Sequence, residues 1–380
     1  MAIKKKKVLF IHPDLRGGGA EKVLVNLLNT LSRIKYDISL LTIFNDGVNK
    51  DILKNDIKHI TVLGKVFRGW SVIQKIFPQT YLFKRCVKDD YDIIISYLEG
   101  VPTRILGGCS NPKTKLVAWV HVDLSDFDIS HVFRSKNEME LTYLKMDAVI
   151  GVSNKALDSI RNIVPITESQ SKVIHNVLDT DLIINQGKKQ VDDIFLSKEV
   201  INLCSVGRLT AQKGYERLIE SIAVLIDKNI QVHLYLLGEG ELRNRINNRV
   251  QELNLSKHVT LLGFKTNPHK YVEKCDLFVC SSYQEGFSTA VTEAVVLGVP
   301  VLTTDCAGMD EILEDGRIGM IVKNDGDSLT NGLIHLLTNN ELLSTYKNKT
   351  QAKSIELQKR NNTLDVESLI DDLLNNHNKC

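Results

Sequence analysis

Nowhere in the 380 residues does an apolar run reach the roughly 18 residues that a bilayer-spanning helix needs. The amino end, MAIKKKKVLFIHP, is basic, but its apolar stretch runs only from Val8 to Ile11 before Pro13, and no small-residue cleavage site follows. It reads as a basic tail leading into a first strand, not as a secretory signal. The seven cysteines, Cys86, Cys109, Cys204, Cys275, Cys280, Cys306 and Cys380, are odd in number and show no CxxC or Cys/His ligand spacing. They fit thiols of a reducing cytoplasm rather than a disulfide framework. There is no GxxxxGK[ST] loop, no complete GxGxxG fingerprint and no repeat of solenoid period. An excess of one charge is lacking too. The net charge is +2, with 43% hydrophobic and 25% charged residues, as in an ordinary globular protein. No nucleic-acid partner is expected.

The charge that is present is uneven. Residues 1–180 hold 26 Lys+Arg against 19 Asp+Glu, and the remainder holds 22 against 27. A basic first half suits an anionic partner, a phosphate or a membrane surface; ordinary solvated charge is the plain alternative.

Two halves are built alike. In the first, KKVLFIHP, DISLLTIF, YDIIISYL, KLVAWVHV and DAVIGVS read as strands, with helical stretches such as AEKVLVNLLNTL between them. After about residue 180 the pattern restarts with VINLCSVGRL, QVHLYLLGEG, HVTLLGF, DLFVCSS and VPVLTTD. Alternating buried strands and helices mean parallel sheets covered on both faces. The expected fold class is therefore α/β, two Rossmann-like doubly wound domains facing a cleft. The expected bounds are 1–177 for the first domain, 178–360 for the second, and 361–380 for a terminal helix able to cross back to the first. The stretch DTDLIINQGKKQVDDIFLSKE reads as a link and a surface loop. In such sheets ligands bind beyond the carboxyl ends of the strands, so loops at those ends carry the candidates.

RGGGAEK, Arg16 to Lys22, sets three glycines between a strand and a helix, where free N–H groups can meet an anion; a plain tight turn is the alternative. GRLTAQKG, Gly207 to Gly214, places Arg208 and Lys213 where two cations could clamp a diphosphate. GEGE, Gly238 to Glu241, ends a strand, with Glu241 in the first turn of the next helix. His121, in AWVHVDLS, lies just past a strand; a lone histidine is more often structural.

The segment SSYQEGFSTAVTEAVVLGVPVL holds two acids eight residues apart, Glu285 and Glu293. Glu285 falls in the loop after a buried strand. Ser288 or Thr289 can cap the following helix, which ends near Gly298 and Pro300. Glu293 falls about one turn in, among Ala290, Val291, Ala294, Val295 and Val296. An acid there needs hydrogen-bond donors, and sugar hydroxyls supply them. The amides of Gly286, Phe287 and Ser288 favour an anion. Acceptors for hydroxyls beside donors for phosphate suit a nucleotide-sugar; two surface acids on a half-exposed helix are the alternative.

Taken together, EGFSTAVTE, VGRLTAQKG, LLGEGE, LLGF and GGGAEK resemble the retaining glycosyltransferases of family four, of the bacterial polysaccharide-assembly type, over nearly the whole chain. The resemblance implies the GT-B fold and a hexosyltransferase. It would move a hexose or N-acetylhexosamine from a nucleotide-diphosphate sugar, UDP-linked, to a hydroxyl of a lipid-linked saccharide in capsule or exopolysaccharide synthesis. It implies that Arg208 and Lys213 bind the diphosphate, that Gly207 belongs to the same loop, and that Glu293 holds the ribose. Glu285 with Gly286, Phe287 and Ser288 would hold the transferred sugar, Gly238 and Phe264 the base. Gly18 and Gly19 would approach the diphosphate or acceptor, and His121 the donor sugar. No cofactor and no metal are expected; the DTD at Asp179 to Asp181 is a decoy. Asn176 stands in HNVLDTD, where Val177 replaces the family's usual glycine. A nucleotide-sugar epimerase of the same fold and a non-catalytic partner subunit are the alternatives.

Two features suit a peripheral contact with the inner face of a membrane. One is the Lys4–Lys7 run. The other is GKVFRGWSVIQKIFPQTYLFKR, where Phe67, Trp70, Ile73, Ile76, Phe77, Tyr81, Leu82 and Phe83 interleave with Lys65, Arg68, Lys75, Lys84 and Arg85. A core-packing helix with a solvated face is the alternative. The expected location is cytoplasmic.

Overall fold

The computed structural model describes residues 5–16, 18–65, 69–125, 129–194, 196–197, 199–359 and 363–375. Gly17, Lys4, Phe67, Arg68 and Cys380, named above, lie outside the described residues. The chain divides into two compact units, Met1–Leu178 with Asn362–Cys380, and Asp179–Asn361.

The first unit holds β1 (Lys6–His12), β2 (Tyr36–Phe44), β3 (Lys58–Leu63), β4 (Ile93–Ser96), β5 (Lys115–Val120), β6 (Ala148–Gly151) and β7 (Ser171–Val173). They pair in the order β3-β2-β1-β4-β5-β6-β7, every pair parallel. Val8, Leu9, Phe10 and Ile11 are all fully buried, since helices cover both faces of the central strands. Lys6 and Lys7 begin β1 itself, so the basic run is partly strand rather than tail. The terminal helix Thr363–Asn375 belongs to this unit. It buries Val366, Leu369 and Ile370, and Asp371 accepts a 2.6 Å hydrogen bond from the Tyr36 hydroxyl.

The second unit holds β8 (Ile201–Val206), β9 (Val232–Leu237), β10 (Val259–Gly263), β11 (Leu277–Cys280), β12 (Val301–Thr304) and β13 (Met320–Val322). Their order is β10-β9-β8-β11-β12-β13, again parallel throughout. Period-two alternation divides its core in two. Leu203, Leu234, Leu236, Leu277 and Val279 pack with the helix Tyr215–Asp227 on one face. Cys204, Tyr235, Leu237, Phe278 and Cys280 pack with the helix Thr289–Val296 on the other. Truncating such a core leucine to alanine costs roughly 2–5 kcal/mol.

The expected link after Asp179 contains a helix, Thr180–Gly187, begun by Asp179, whose carboxylate accepts from the Leu182 amide at 2.8 Å. The DTD thus includes an N-cap. In each unit the strand order reverses once, between β1 and β4 and between β8 and β11. Loops leaving adjacent strands in opposite directions open a crevice there.

Candidate active site

In the second unit that crevice lies between the loops after β8 and β11. Its first wall turns on Gly214, whose φ of +63° suits glycine; a Cβ there would sit 2.2 Å from the Ser281 carbonyl oxygen. This close approach brings Lys213 to Glu285. Lys213 Nζ lies 2.6 Å from Glu285 Oε1, and Ser282 donates to the same oxygen at 2.6 Å. Burial works against the Lys213 ammonium, but the charge and hydrogen bond of Glu285 outweigh it, and its pKa is raised. The two loops are also stitched through their backbones. The Tyr283 amide donates to Gln212 O at 2.8 Å, and Ser281 Oγ donates to Lys213 O at 2.9 Å. A small cavity here is lined by Lys213, Tyr215, Cys280, Ser282, Glu285 and Ser288. Arg208, in the same loop, is exposed and makes no ion pair among the described residues.

Gly207 and Gly238 face each other across the ends of β8 and β9. A Cβ on Gly238, whose φ is +144°, would fall 1.9 Å from the Gly207 carbonyl oxygen, so both positions have a packing reason of their own. The Gly238 amide donates to Gly263 O at 2.9 Å, which ties in the end of β10; Phe264 follows, 57% exposed. The next helix begins at Arg243, so Glu241 lies in the turn before it rather than in its first turn.

Ser288 caps the helix Thr289–Val296, accepting from the Val291 amide. Gly286 is buried and Phe287 half-buried in the loop before it. Glu293 is only 7% exposed, and its carboxylate meets the buried His269, with Nε2 to Oε2 3.1 Å. A carboxylate only accepts, so the imidazole donates. The donor that this acid requires is therefore supplied in part by the protein, a partner the sequence reading lacks.

In the first unit, Gly18 caps and Gly19 begins the helix Gly19–Thr30 beyond β1. His121 follows β5 directly. Its amide donates to Glu99 Oε2 at 2.8 Å, its ring lies 4.7 Å from that of Tyr97, and Nε2 has no partner among the described residues. Burial and the nearby His12 push the His121 pKa down to about 3. Burial holds His12 down to about 4, although its Nδ1 donates to the Asp14 carbonyl at 2.6 Å. Burial raises the Glu99 pKa. Both imidazoles are neutral at pH 7 and sit at the carboxyl ends of β1 and β5, which flank β4.

The structure thus gathers Gly207, Arg208, Lys213, Glu285, Gly286, Phe287 and Ser288 at one switch point, with Glu293 on the helix that follows. Gly18, Gly19 and His121 lie at strand ends of the other unit. His12, Glu99, Ser282, Arg217 and His269 were not singled out from the sequence. Only Arg217 carried a signal: it lies four and eight residues before Ser221 and Leu225 on a buried helical stripe.

Two parallel-sheet units with loops of this kind define the GT-B class. Residues 17–182 match the family described as Glycosyltransferase Family 4, and residues 188–353 match Glycosyl transferases group 1. The chain belongs to the family-four glycosyltransferases and is an enzyme of the hexosyltransferase type. It is 31% identical over 368 residues, 93% of this chain and 96% of the relative, to the Campylobacter jejuni N-acetylgalactosamine-N,N'-diacetylbacillosaminyl-diphospho-undecaprenol 4-alpha-N-acetylgalactosaminyltransferase. It is 24% identical to an Escherichia coli UDP-Gal:alpha-D-GlcNAc-diphosphoundecaprenol alpha-1,3-galactosyltransferase, over 90% of this chain and 91% of that one. Anabaena HepE, solved in complex with UDP and glucose, shares the fold with a TM-score of 0.76 at 20% identity, over 98% of this chain and all of that one.

Proposed function

We propose that this enzyme transfers a hexose or N-acetylhexosamine from a UDP-linked sugar to a hydroxyl of a lipid-linked saccharide, with retention at the anomeric carbon. The observation that carries the reading is the half-buried Lys213–Glu285 pair with the exposed Arg208 in the same loop. As the sugar–phosphate bond loosens, negative charge grows on the departing diphosphate, and fixed cations oppose it where it develops. Arg208 and Lys213 take that role, so the reaction needs no metal. Glu285 and the amides of Gly286, Phe287 and Ser288 hold the sugar. Glu293, oriented by His269, holds the ribose, and Gly238 and Phe264 flank the base. In the first unit Gly18 and Gly19 approach the diphosphate or acceptor, and neutral His121 offers a hydrogen bond to the donor sugar.

A lipid-linked acceptor is supported by the two undecaprenol-named relatives and by the first unit's surface. The segment from Trp70 to Cys86 folds as short helices Trp70–Ile73 and Gln79–Cys86 around a turn. Its underside is held by fully buried Arg104, which donates to the Gln74 and Phe77 carbonyls at 2.9 and 3.0 Å and pairs with Glu138. Its outer side leaves Val72, Ile73, Ile76 and Tyr81 exposed beside Lys84 and Arg85. Exposed apolar and basic groups together suit an anionic bilayer surface. No described helix is long and apolar enough to cross a membrane; the contact proposed is a peripheral one.

The test is incubation with a panel of nucleotide sugars, with and without undecaprenyl-diphosphate saccharides. Acceptor-dependent release of nucleotide diphosphate and an axial product linkage are expected. Inverted product, or an altered sugar nucleotide formed without acceptor, contradicts the reading.

A further inference from the structure

Arg217 lies on the helix Tyr215–Asp227, immediately behind the loops that carry Lys213 and Glu285. It is 5% exposed. Its guanidinium donates from Nε and Nη2 to the Ser281 carbonyl at 2.9 and 2.6 Å, and from Nη2 to the Ser282 carbonyl at 2.7 Å and Asn324 Oδ1 at 2.8 Å. Its Cζ stands 3.9 Å from the centre of the Tyr283 ring. Asn324 completes the clasp, donating to the Tyr283 carbonyl at 2.7 Å. Thr304 Oγ1 also donates to the Ser282 carbonyl, at 2.6 Å.

Two features set this arginine apart. The first is where its bonds go. Ser281 gives its carbonyl to Arg217 and its hydroxyl to the Lys213 carbonyl, while Ser282 gives its carbonyl to Arg217 and its hydroxyl to Glu285. The same two peptides that Arg217 grips therefore carry both supports of the Lys213–Glu285 pair. The second is its charge. No carboxylate oxygen lies within 4.0 Å of the guanidinium among the described residues, and Nη1 is buried without a partner. A buried cation met by carbonyls, a side-chain amide, the Thr304 hydroxyl at 3.4 Å and a ring, with Asp325 acting on it only through space, keeps part of its field, and an arginine so placed costs stability unless something offsets it.

We propose that Arg217 is a positioning residue of the transfer site, clamping the Ser281–Tyr283 turn so that Lys213 and Glu285 are set, and holding, behind the departing diphosphate, a positive charge that no carboxylate contacts directly. The inference rests on the transfer reading given above. Asn324 belongs to the same device, because it both accepts from Arg217 and fixes the next peptide.

The test uses Arg217→Ala, Arg217→Lys and Asn324→Asp, with thermal unfolding beside the kinetics. Arg217→Ala is expected to lower kcat at saturating donor by about tenfold or more while the acceptor KM stays put. Guanidinium ion, at a concentration that leaves wild type unchanged, should restore part of that loss. Arg217→Lys keeps the charge but not the planar fork and should fall between. Asn324→Asp sets a carboxylate against the guanidinium and removes the donor to the Tyr283 carbonyl; the new ion pair should offset that lost bond in thermal unfolding while turnover falls several-fold, a split that a merely structural role does not give. Should Arg217→Ala fail to fold, Arg217→Lys and Asn324→Asp carry the test. Wild-type turnover in Asn324→Asp and Arg217→Lys, or a folded Arg217→Ala with wild-type kcat, overturns the inference. Absence of turnover in the wild type with every nucleotide sugar instead overturns the transfer reading.

Discussion

The two units place titratable groups at the carboxyl ends of their strands and treat them oppositely. At the switch point of the second, Arg208, Lys213 and Arg217 are cationic and Glu285 pairs with Lys213 at 2.6 Å. In the first, His12 ends β1 and His121 follows β5, and both are stripped of charge by burial, with pKa values near 4 and 3. On the reading proposed above, the cations of the second suit an anion that gains charge during the reaction, and the neutral polar groups of the first suit a hydroxyl. A single architecture thus carries different chemistry in each half because the loops, not the sheets, decide solvation and pairing.

Removing charge from the second unit should do the most damage. Lys213→Ala and Arg208→Ala should each raise the barrier by on the order of 2–4 kcal/mol, read as kcat at saturating donor. Turnover close to wild type would erase the electrostatic half of the contrast. Glu293→Ala removes a ribose partner rather than a phosphate one. It should weaken nucleotide diphosphate binding by about 1.5–3 kcal/mol, the scale of a hydrogen bond to a charged group, with the fold retained. Unchanged affinity by calorimetry removes that assignment.

The first unit should answer to acid instead. Histidines whose pKa falls from 6.5 to about 3 or 4 on folding bind protons in the unfolded chain first. Their contribution is complete above pH 6.5 and is lost as pH falls toward those folded values. Each should cost about 2 kcal/mol between pH 7 and 5. Denaturant midpoints at the two pH values should therefore converge in His121→Gln relative to wild type; an identical pH dependence in both would mean His121 is not buried neutral. The smallest effect per residue concerns the surface. Changing Lys75, Lys84 and Arg85 to Ser should weaken binding to anionic liposomes by about 1 kcal/mol per charge, and high salt should do the same to wild type. Equal binding to neutral and anionic vesicles, or none to either, would return the segment to ordinary surface.

The sequence disclosed the two halves unequally. All ten strands read from apolar runs are present; nine are interior strands, continuously hydrophobic because both faces are buried, and β10 is an edge strand whose run is apolar all the same. The three not foreseen, β3, β7 and β13, are sheet edges, only half covered and correspondingly mixed in composition. Lys213 and Glu285 were legible from their places after strands, whereas their direct pairing was not, since it depends on the contact across Gly214. Glu293 was legible as an acid in an apolar helix, but His269, 24 residues earlier, was not. His12 and His121 look like any histidines until burial removes their charge.

Whether the second unit holds a diphosphate by charge is tested most directly by calorimetry with UDP and with uridine. Two charge-assisted contacts of about 1.5–3 kcal/mol each predict that UDP binds at least about a hundredfold tighter than uridine at low salt. They also predict that Lys213→Ala narrows the gap while leaving uridine affinity unchanged. Uridine binding as tightly as UDP, or a gap that survives the loss of both Lys213 and Arg208, would contradict diphosphate binding by charge.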